Sequence, residues 1–324
     1  MKSLRLIKVI ASSLVVASVL ALNPIGASAA WKSDPRGWWY TEGSSWATGW
    51  RLINSKWYYF DSKGYMAKDT TIDGYYLNDS GAWTELTTSG NFKFDKSTGT
   101  IVEYTGSDSS VVIPDKIDGT EVKRIRFTSS SSCKNLTSIT IPDSTTSIES
   151  IVFMNCSNLT SIVIPNSVTN IQADAFSGCS SLKSITIPSS VKTIESRAFA
   201  GCSGLTSLTI PNSVTSIGNE VFQQCSNLTS ITISGSVKSM GCDVFGDCVN
   251  LKSVTISDGI TSINQSQFQG CYNLTSVKIP NSVTSIGRDA FRFCNEAKFY
   301  VSSETTKQLL VNSGVSESQV IVSA

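Results

Sequence analysis

Leu159-Thr160-Ser161-Ile162-Val163-Ile164-Pro165-Asn166-Ser167-Val168-Thr169-Asn170-Ile171, followed by Ala175-Phe176 and Cys179, is the stretch whose reading decides the fold. Its opening, Leu-x-x-Ile-x-Ile, ends in the period-2 alternation of a β-strand. Pro165 has no amide hydrogen to give a ladder, so it belongs at the strand's exit. Val168 to Ile171 is a second short extended piece, and Ser177-Gly178-Cys179 turns the chain back. The offsets recur in Leu182, Ile185, Ile187, Val191 and Ile194. Cys133, Cys156, Cys179, Cys202, Cys225, Cys248, Cys271 and Cys294 follow one another every 23 residues without an insertion, and each phenylalanine from Phe153 to Phe291 in this register precedes a cysteine by three. A constant period of this length means a solenoid whose coils bury a common core. Roughly eight inward side chains per coil, at ~1.5–3 kcal/mol each, offset the ordering entropy only when coils stack.

Composition narrows the chemistry. In 324 residues, 26 Lys and Arg balance 25 Asp and Glu, for a formal charge of +1. That balance does not suit a nucleic-acid binder, which needs a basic surface to neutralise phosphates. Histidine is absent, which removes imidazole bases, His-containing triads and imidazole metal sites. We therefore expect no catalytic residues, no metal and no cofactor. Lys2, Arg5 and Lys8, the apolar run Val9 to Leu22 and the small residues Gly26 to Ala30 read as a secretory signal peptide over 1–29, cleaved after Ala29. The mature chain is then expected to be secreted, with no membrane association. There is no C-terminal Leu-Pro-x-Thr-Gly signal, so retention at a cell surface should be non-covalent.

The outward strand positions form columns. One is serine throughout, from Ser138 to Ser276; another runs Thr140, Val163, Thr186, Thr209, Thr232, Thr255 and Lys278. This hydroxyl-rich face either receives an extended polymer or a protein partner, or merely keeps a parallel sheet soluble. The cysteine column reads as buried, stacked thiols, because in-register side chains point the same way and not at each other. Cys242 stands off the column, six residues before Cys248, and a local pair between them is the alternative.

All seven tryptophans lie between Trp31 and Trp83, with six of the nine tyrosines. Gly37-Trp38-Trp39-Tyr40, Gly49-Trp50, Trp57-Tyr58-Tyr59-Phe60, Gly64-Tyr65-Met66 and Gly74-Tyr75-Tyr76 read as short hairpins, none large enough for its own core. Their rings must stack on one another or meet a ligand.

Two resemblances follow. Residues 110 to 296 resemble the BspA-like leucine-rich repeats, with units of the form Leu-Thr-Ser-Ile-Thr-Ile-Pro-x-Ser-Val-Thr-x-Ile-x-x-x-Ala-Phe-x-x-Cys. The aromatic module is similar to choline-binding or glucan-binding cell-wall repeats, in which three aromatic side chains enclose a quaternary ammonium. On that resemblance Trp50 and Trp57 take the first two positions and Tyr76 the third, with Trp38 matching Trp57 in the preceding unit and Tyr59 beside them. The third unit has Asp69-Thr70 and Gly74 where tryptophans should stand, so one complete site is expected.

The fold class expected is mainly β: a leucine-rich-repeat solenoid of 23-residue coils with parallel strands, preceded by a small β-hairpin repeat module. Its divisions are the signal peptide, the aromatic module over 31–86, a capping coil over 90–135, the solenoid over 136–296 and a cap over 297–324. The function expected is non-covalent attachment to a cell-wall polymer, choline-bearing or another glycan, with the repeat face displayed for protein or polysaccharide binding or adhesion. A structural spacer without a ligand is the alternative. A wall hydrolase fits less well, since no segment is left for a catalytic domain and the carboxylates form no pair.

Overall fold

The computed structural model describes residues 29–126 and 133–323. The expected signal segment, apart from Ala29, lies outside the described residues. The chain divides into two compact units, Met1–Leu86 and Thr87–Ala324. Among the described residues no helix is long and apolar enough to cross a membrane.

The second unit is a mainly β solenoid of about nine turns, with parallel strands about 23 residues apart. In the quoted coil, Leu159, Ile162, Ile164, Val168, Ile171, Ala175, Phe176 and Cys179 are all buried. The coils make three ladders, the first of which is interrupted at 184–187 and 207–210, where no strand pairs form. Ser138–Thr140 and Ser161–Val163 pair in parallel on the first side, as do Ser230–Ile233, Ser253–Ile256 and Ser276–Lys278. On the second, Arg124–Ile125, Ser147–Ile148, Asn170–Ile171, Thr193–Ile194, Ser216–Ile217 and Ser239–Met240 stack in order.

The third ladder is built from turns. Phe176 N–H donates to Ala198 O (2.8 Å), Phe199 N–H to Val221 O (3.0 Å) and Phe222 N–H to Val244 O (2.9 Å). To aim these amides at the next coil, Asp174, Arg197, Glu220 and Asp243 adopt left-handed backbone with φ between 55° and 59°. Such conformations are uphill for non-glycine residues. Repeated coil-to-coil hydrogen bonds over-determine them here.

The ends differ from the coils. Phe92–Asp95 and Thr100–Tyr104 form an antiparallel hairpin at the N-terminal end, and Thr100–Tyr104 then pairs in parallel with Arg124–Ile125. At the C-terminal end Lys298–Val301 continues the first sheet, the helix Glu304–Asn312 starts at Ser303, whose hydroxyl accepts from Thr306 N–H, and Val320–Val322 adds a last strand.

The phenylalanines form one stack. From Phe153 to Phe291 successive ring centroids are 5.2–5.5 Å apart with planes within 16° of parallel. The cysteines cap the phenylalanine carbonyls: Cys179, Cys202, Cys225, Cys248, Cys271 and Cys294 donate from Sγ to the carbonyl oxygen of the phenylalanine 26 residues earlier, at 3.2–3.4 Å. A small side chain with a weak donor suits a position facing both core and backbone.

The expectation of unbridged column thiols needs correction at one pair, and the alternative pairing of Cys242 is not formed. Cys133 and Cys156, neighbours in the column, form a disulfide across a Cα–Cα distance of 5.2 Å. Parallel side-chain directions did not prevent it, because stacked coils already put the two Cα atoms inside the window a disulfide spans. Cys242 is not bridged to Cys248: Cys242 is exposed and Cys248 buried, and both are free.

One core position is anomalous. Ala175, Ala198, Val221, Val244 and Ala290 occupy the place before each phenylalanine, and Gln267 occupies it in the coil between Val244 and Ala290. Gln267 is fully buried, and neither Oε1 nor Nε2 has a hydrogen-bond partner. Replacing it with valine, Gln267→Val, should stabilise the solenoid by about 1–3 kcal/mol, since an unsatisfied buried amide is removed and its column is restored. Urea unfolding followed by circular dichroism checks this; an unchanged or lower midpoint refutes it.

The described part of the first unit holds three hairpins, Trp31–Asp34 with Gly37–Glu42, Gly49–Ile53 with Lys56–Phe60, and Thr70–Ile72 with Tyr75–Leu77, and Ser45–Trp46 adds a third strand to the first of them. Their small core is Ala47, Ile53 and Phe60, with Trp31, Tyr40, Tyr58 and Met66 packed against it. Gly64 and Gly81, both left-handed, leave room for the side chain of an earlier unit. A Cβ on Gly64 would lie 2.3 Å from the Trp46 ring, and one on Gly81 2.3 Å from Met66 Sδ.

Candidate aromatic binding site

Strand register explains which rings meet. Trp31 lies opposite Tyr40 in the first hairpin, and Trp50 opposite Tyr59 in the second. Trp38 pairs with Ser33, two residues past Trp31, and Trp57 with Leu52, two past Trp50. The two hairpins thus carry the same three aromatic positions. Cross-strand rings on one face fall within contact distance, and the pairs adopt edge-to-face geometry: Trp31–Tyr40 at 5.2 Å and 65°, Trp50–Tyr59 at 5.5 Å and 69°.

The next hairpin supplies a further ring to each. Tyr58 packs edge-on against Trp31 at 5.0 Å, and Tyr75 against Trp50 at 5.9 Å. A fourth group follows from the isolated bridges Phe60–Met66 and Leu77–Trp83, which put Met66 and Trp83 at equivalent positions. Trp83 packs against Tyr75 at 6.3 Å. Trp31, Trp38, Tyr58 and Met66 line an open cleft of about 280 Å³ with Lys68, Asp79 and Ser80 at its margin. Trp50, Trp57, Tyr75 and Trp83 repeat that pattern by register.

Trp38 thus belongs to the first of two equivalent aromatic clusters and Trp50 and Trp57 to the second, with Tyr59 packed edge-on against Trp50. Tyr76, the residue expected in third place, is 6% exposed and faces inward, while its strand neighbour Tyr75 makes the ring contact with Trp50. The third hairpin turns at Asp73-Gly74 after only three strand residues, and counting back from Leu77, the equivalent of Phe60, aligns Tyr75 with Tyr58. Trp31 and Tyr58 were not foreseen. The seven-residue interval from Trp31 to Trp38, identical to that from Trp50 to Trp57, was the available signal.

Two electrostatic features accompany the clusters. Burial raises the pKa of the Tyr58 phenol, which keeps it neutral. Trp50 Nε1 donates to Asp73 Oδ2 at 3.2 Å, placing a carboxylate beside the second cluster. Ring faces with a carboxylate nearby attract cations, most strongly a bulky ammonium that surrenders little hydration. Among the described residues no group of three or more Cys, Asp or Glu is arranged to hold a metal ion.

On the solenoid, Thr140, Thr186, Thr209, Thr232, Thr255 and Lys278 are all exposed. Thr232, Thr255 and Lys278 are in direct register, and the column continues into Tyr300 and Ile321 of the terminal strands. An aromatic therefore ends this otherwise hydroxyl-bearing line. The six free column thiols are buried, and burial pushes Cys179, Cys248 and Cys294 up to about 12.

The comparisons agree with this division. A choline-binding repeat matches residues 47–84. Among solved structures, a leucine-rich repeat protein of T. pallidum is 25% identical, with a TM-score of 0.51 over 74% of this chain and 100% of that one. A leucine-rich cell surface protein of Faecalibacterium prausnitzii is 23% identical (TM-score 0.28; 67% and 88% covered), and the pneumococcal vaccine antigen PcpA 17% identical (TM-score 0.34; 86% and 100%). No curated protein matches the chain. The BspA type leucine-rich repeat region matches residues 103–225 and 192–309 in six copies, and with the stacked coils, phenylalanine column and thiol caps described above, the chain belongs to the BspA-type leucine-rich repeat family.

Proposed function

We propose that this is a non-enzymatic binding protein of the cell surface. It is secreted, grips a cell-wall polymer through the aromatic hairpins and presents its solenoid to a protein or polysaccharide partner. The observation that carries the reading is the repetition of one aromatic arrangement, Trp31, Trp38, Tyr58 and Met66, as Trp50, Trp57, Tyr75 and Trp83. Trp31, Tyr58 and Met66 also pack against the module's small core, but Trp38 beside them is 49% exposed, which packing of that core does not require. The choline-binding repeat match supports a quaternary ammonium as the group enclosed. One cation–π face contributes about 0.5–2 kcal/mol, so the two clusters together would hold a polymer that neither holds alone.

The test is retention on isolated walls and on a choline-derivatised resin. Replacing both Trp31 and Trp50 with alanine should weaken retention by about 10- to 100-fold, through loss of ring contacts at two linked sites, while the solenoid's circular dichroism stays unchanged. Release of the unmodified protein by free choline identifies the ammonium; release only by wall saccharides identifies a glycan. Undiminished retention of the double variant refutes attachment through these rings.

A further inference from the structure

The cysteine column is bridged only at its start. Among the described residues Cys133 and Cys156 form a disulfide, while Cys179, Cys202, Cys225, Cys248, Cys271 and Cys294 are buried thiols. The geometry that permits the first bridge continues down the stack. Immediately before each cysteine a backbone amide donates to the next coil: Asn155 to Ser177 O and Gly178 to Ala200 O at 2.7 Å, Gly201 to Gln223 O, Gln224 to Gly246 O and Asp247 to Gln269 O at 2.8 Å, and Gly270 to Arg292 O at 2.9 Å. Three residues before each cysteine, the phenylalanine rings repeat at 5.2–5.5 Å, close to the 5.2 Å between the Cα atoms of the bridged pair. Neighbouring column positions are therefore held at a separation that a disulfide spans.

A bridge also suits the surroundings of the free thiols. Cys133 and Cys156 are 3% and 0% exposed and the six free thiols 0–3%, so bridged and unbridged sulfurs sit in the same kind of space. Bridging removes the S–H groups that cap phenylalanine carbonyls, yet strands none of those carbonyls. The oxygens of Phe153, Phe176, Phe199, Phe222, Phe245 and Phe268 each accept the amide of the cysteine three residues on as well, at 3.1–3.4 Å. Pairing has one phase. With Cys133 and Cys156 already joined, six thiols in a line are all paired with a neighbour in a single way.

We propose that the column is a site of oxidative modification by a small-molecule disulfide, which joins Cys179 to Cys202, Cys225 to Cys248 and Cys271 to Cys294 as coil-to-coil staples. In each reaction one thiolate attacks a sulfur of the oxidant and expels a thiol, and the neighbouring thiolate then displaces the second. Two S–H bonds are exchanged for one S–S bond, and the two electrons leave with two reduced small thiols. The thiolate is the nucleophile, and burial keeps these groups protonated, so the staples form while coils fold or open and not in the closed column. Each staple joins residues 23 apart and so restricts the unfolded chain. Cys242, exposed and off the column, is left outside.

Refolding the reduced full chain from urea in glutathione disulfide, followed by non-reducing peptide mapping, tests it. Intrachain bridges should rise from the one already present to four, with the three further pairs named above, and Cys242 should be the one cysteine outside them. In Cys202→Ala the partner of Cys179 is gone, so Cys179 should join Cys242 outside the bridges while Cys225–Cys248 and Cys271–Cys294 still form. The map of the unmodified chain decides the matter whether or not that variant folds. Cys133–Cys156 as the one bridge after oxidative refolding overturns the proposal. Pairs out of phase, such as Cys202 with Cys225, or a bridge from Cys242 to the column, overturn it as well.

Discussion

Phe222→Ala should cost the solenoid about 3–5 kcal/mol, the range for emptying a large aromatic site in a packed core. Phe222 is fully buried, and its ring lies 5.5 Å from both Phe199 and Phe245. Removing it opens a void in the middle of the stack and exposes two neighbouring faces at once. Its carbonyl, which accepts from Cys248 Sγ at 3.3 Å, stays in place, so the loss reports packing and not the thiol cap. The control is Phe293→Ala. Phe293 is 43% exposed and contacts Tyr272 and Arg292 at the surface, so its loss should stay within about 0.5 kcal/mol. Urea midpoints of the two variants decide the matter; similar values would mean the stack contributes no more than a surface pair. Stability is shared between neighbouring coils, so unfolding of the Phe222 variant should also begin near coil 222 before the ends.

Alkaline unfolding should be steep and should depend on the column thiols. Burial pushes Cys179, Cys248 and Cys294 from 9.0 up to about 12, and Cys202, Cys225 and Cys271 move in the same direction for the same reason. In the unfolded chain Cys179, Cys248 and Cys294 ionise around pH 9.0, while in the folded chain these three keep their protons until about pH 12. Over that window the unfolded state binds fewer protons, so stability falls as pH rises, by about 1.4 kcal/mol per pH unit for each thiol. Below pH 9.0 the contribution is complete and flat. For the three thiols together the slope is about 4 kcal/mol per pH unit. Urea midpoints between pH 8 and 11 measure it. A variant with alanine at Cys179, Cys248 and Cys294 will be less stable at neutral pH because cavities remain, but its slope should be shallower by that amount. Equal slopes in the two proteins would show that the thiols titrate normally.

The aromatic module shows how far a sequence carries the ring packing of a candidate site. Trp50 and Trp57 were legible because their motif is dense, and the indole interval of seven would have revealed Trp31 as well. The third ring was not legible. Deciding between Tyr75 and Tyr76 requires knowing where the hairpin turns, and a shift of one residue in a strand moves a side chain to the opposite face. The turn at Asp73-Gly74 fixed that choice.

In the solenoid the balance differs. A period of 23 with Ile, Val, Phe and Cys at constant offsets dictates stacked coils, the inward set and the outward hydroxyl columns, because no other arrangement buries every unit's apolar residues against its neighbours. Three features depended on the assembled chain. The left-handed residues from Asp174 to Asp243 carry no residue signature, since hydrogen bonds from the next coil impose their conformation. The Cys133–Cys156 bridge follows from a 5.2 Å Cα separation. The missing strand pairs at 184–187 and 207–210 arise in coils whose sequence barely differs from their laddered neighbours. A repeat specifies what each unit must bury, but the way its ladders share strain along the stack is a property of many coils at once, and only the tertiary structure decides it.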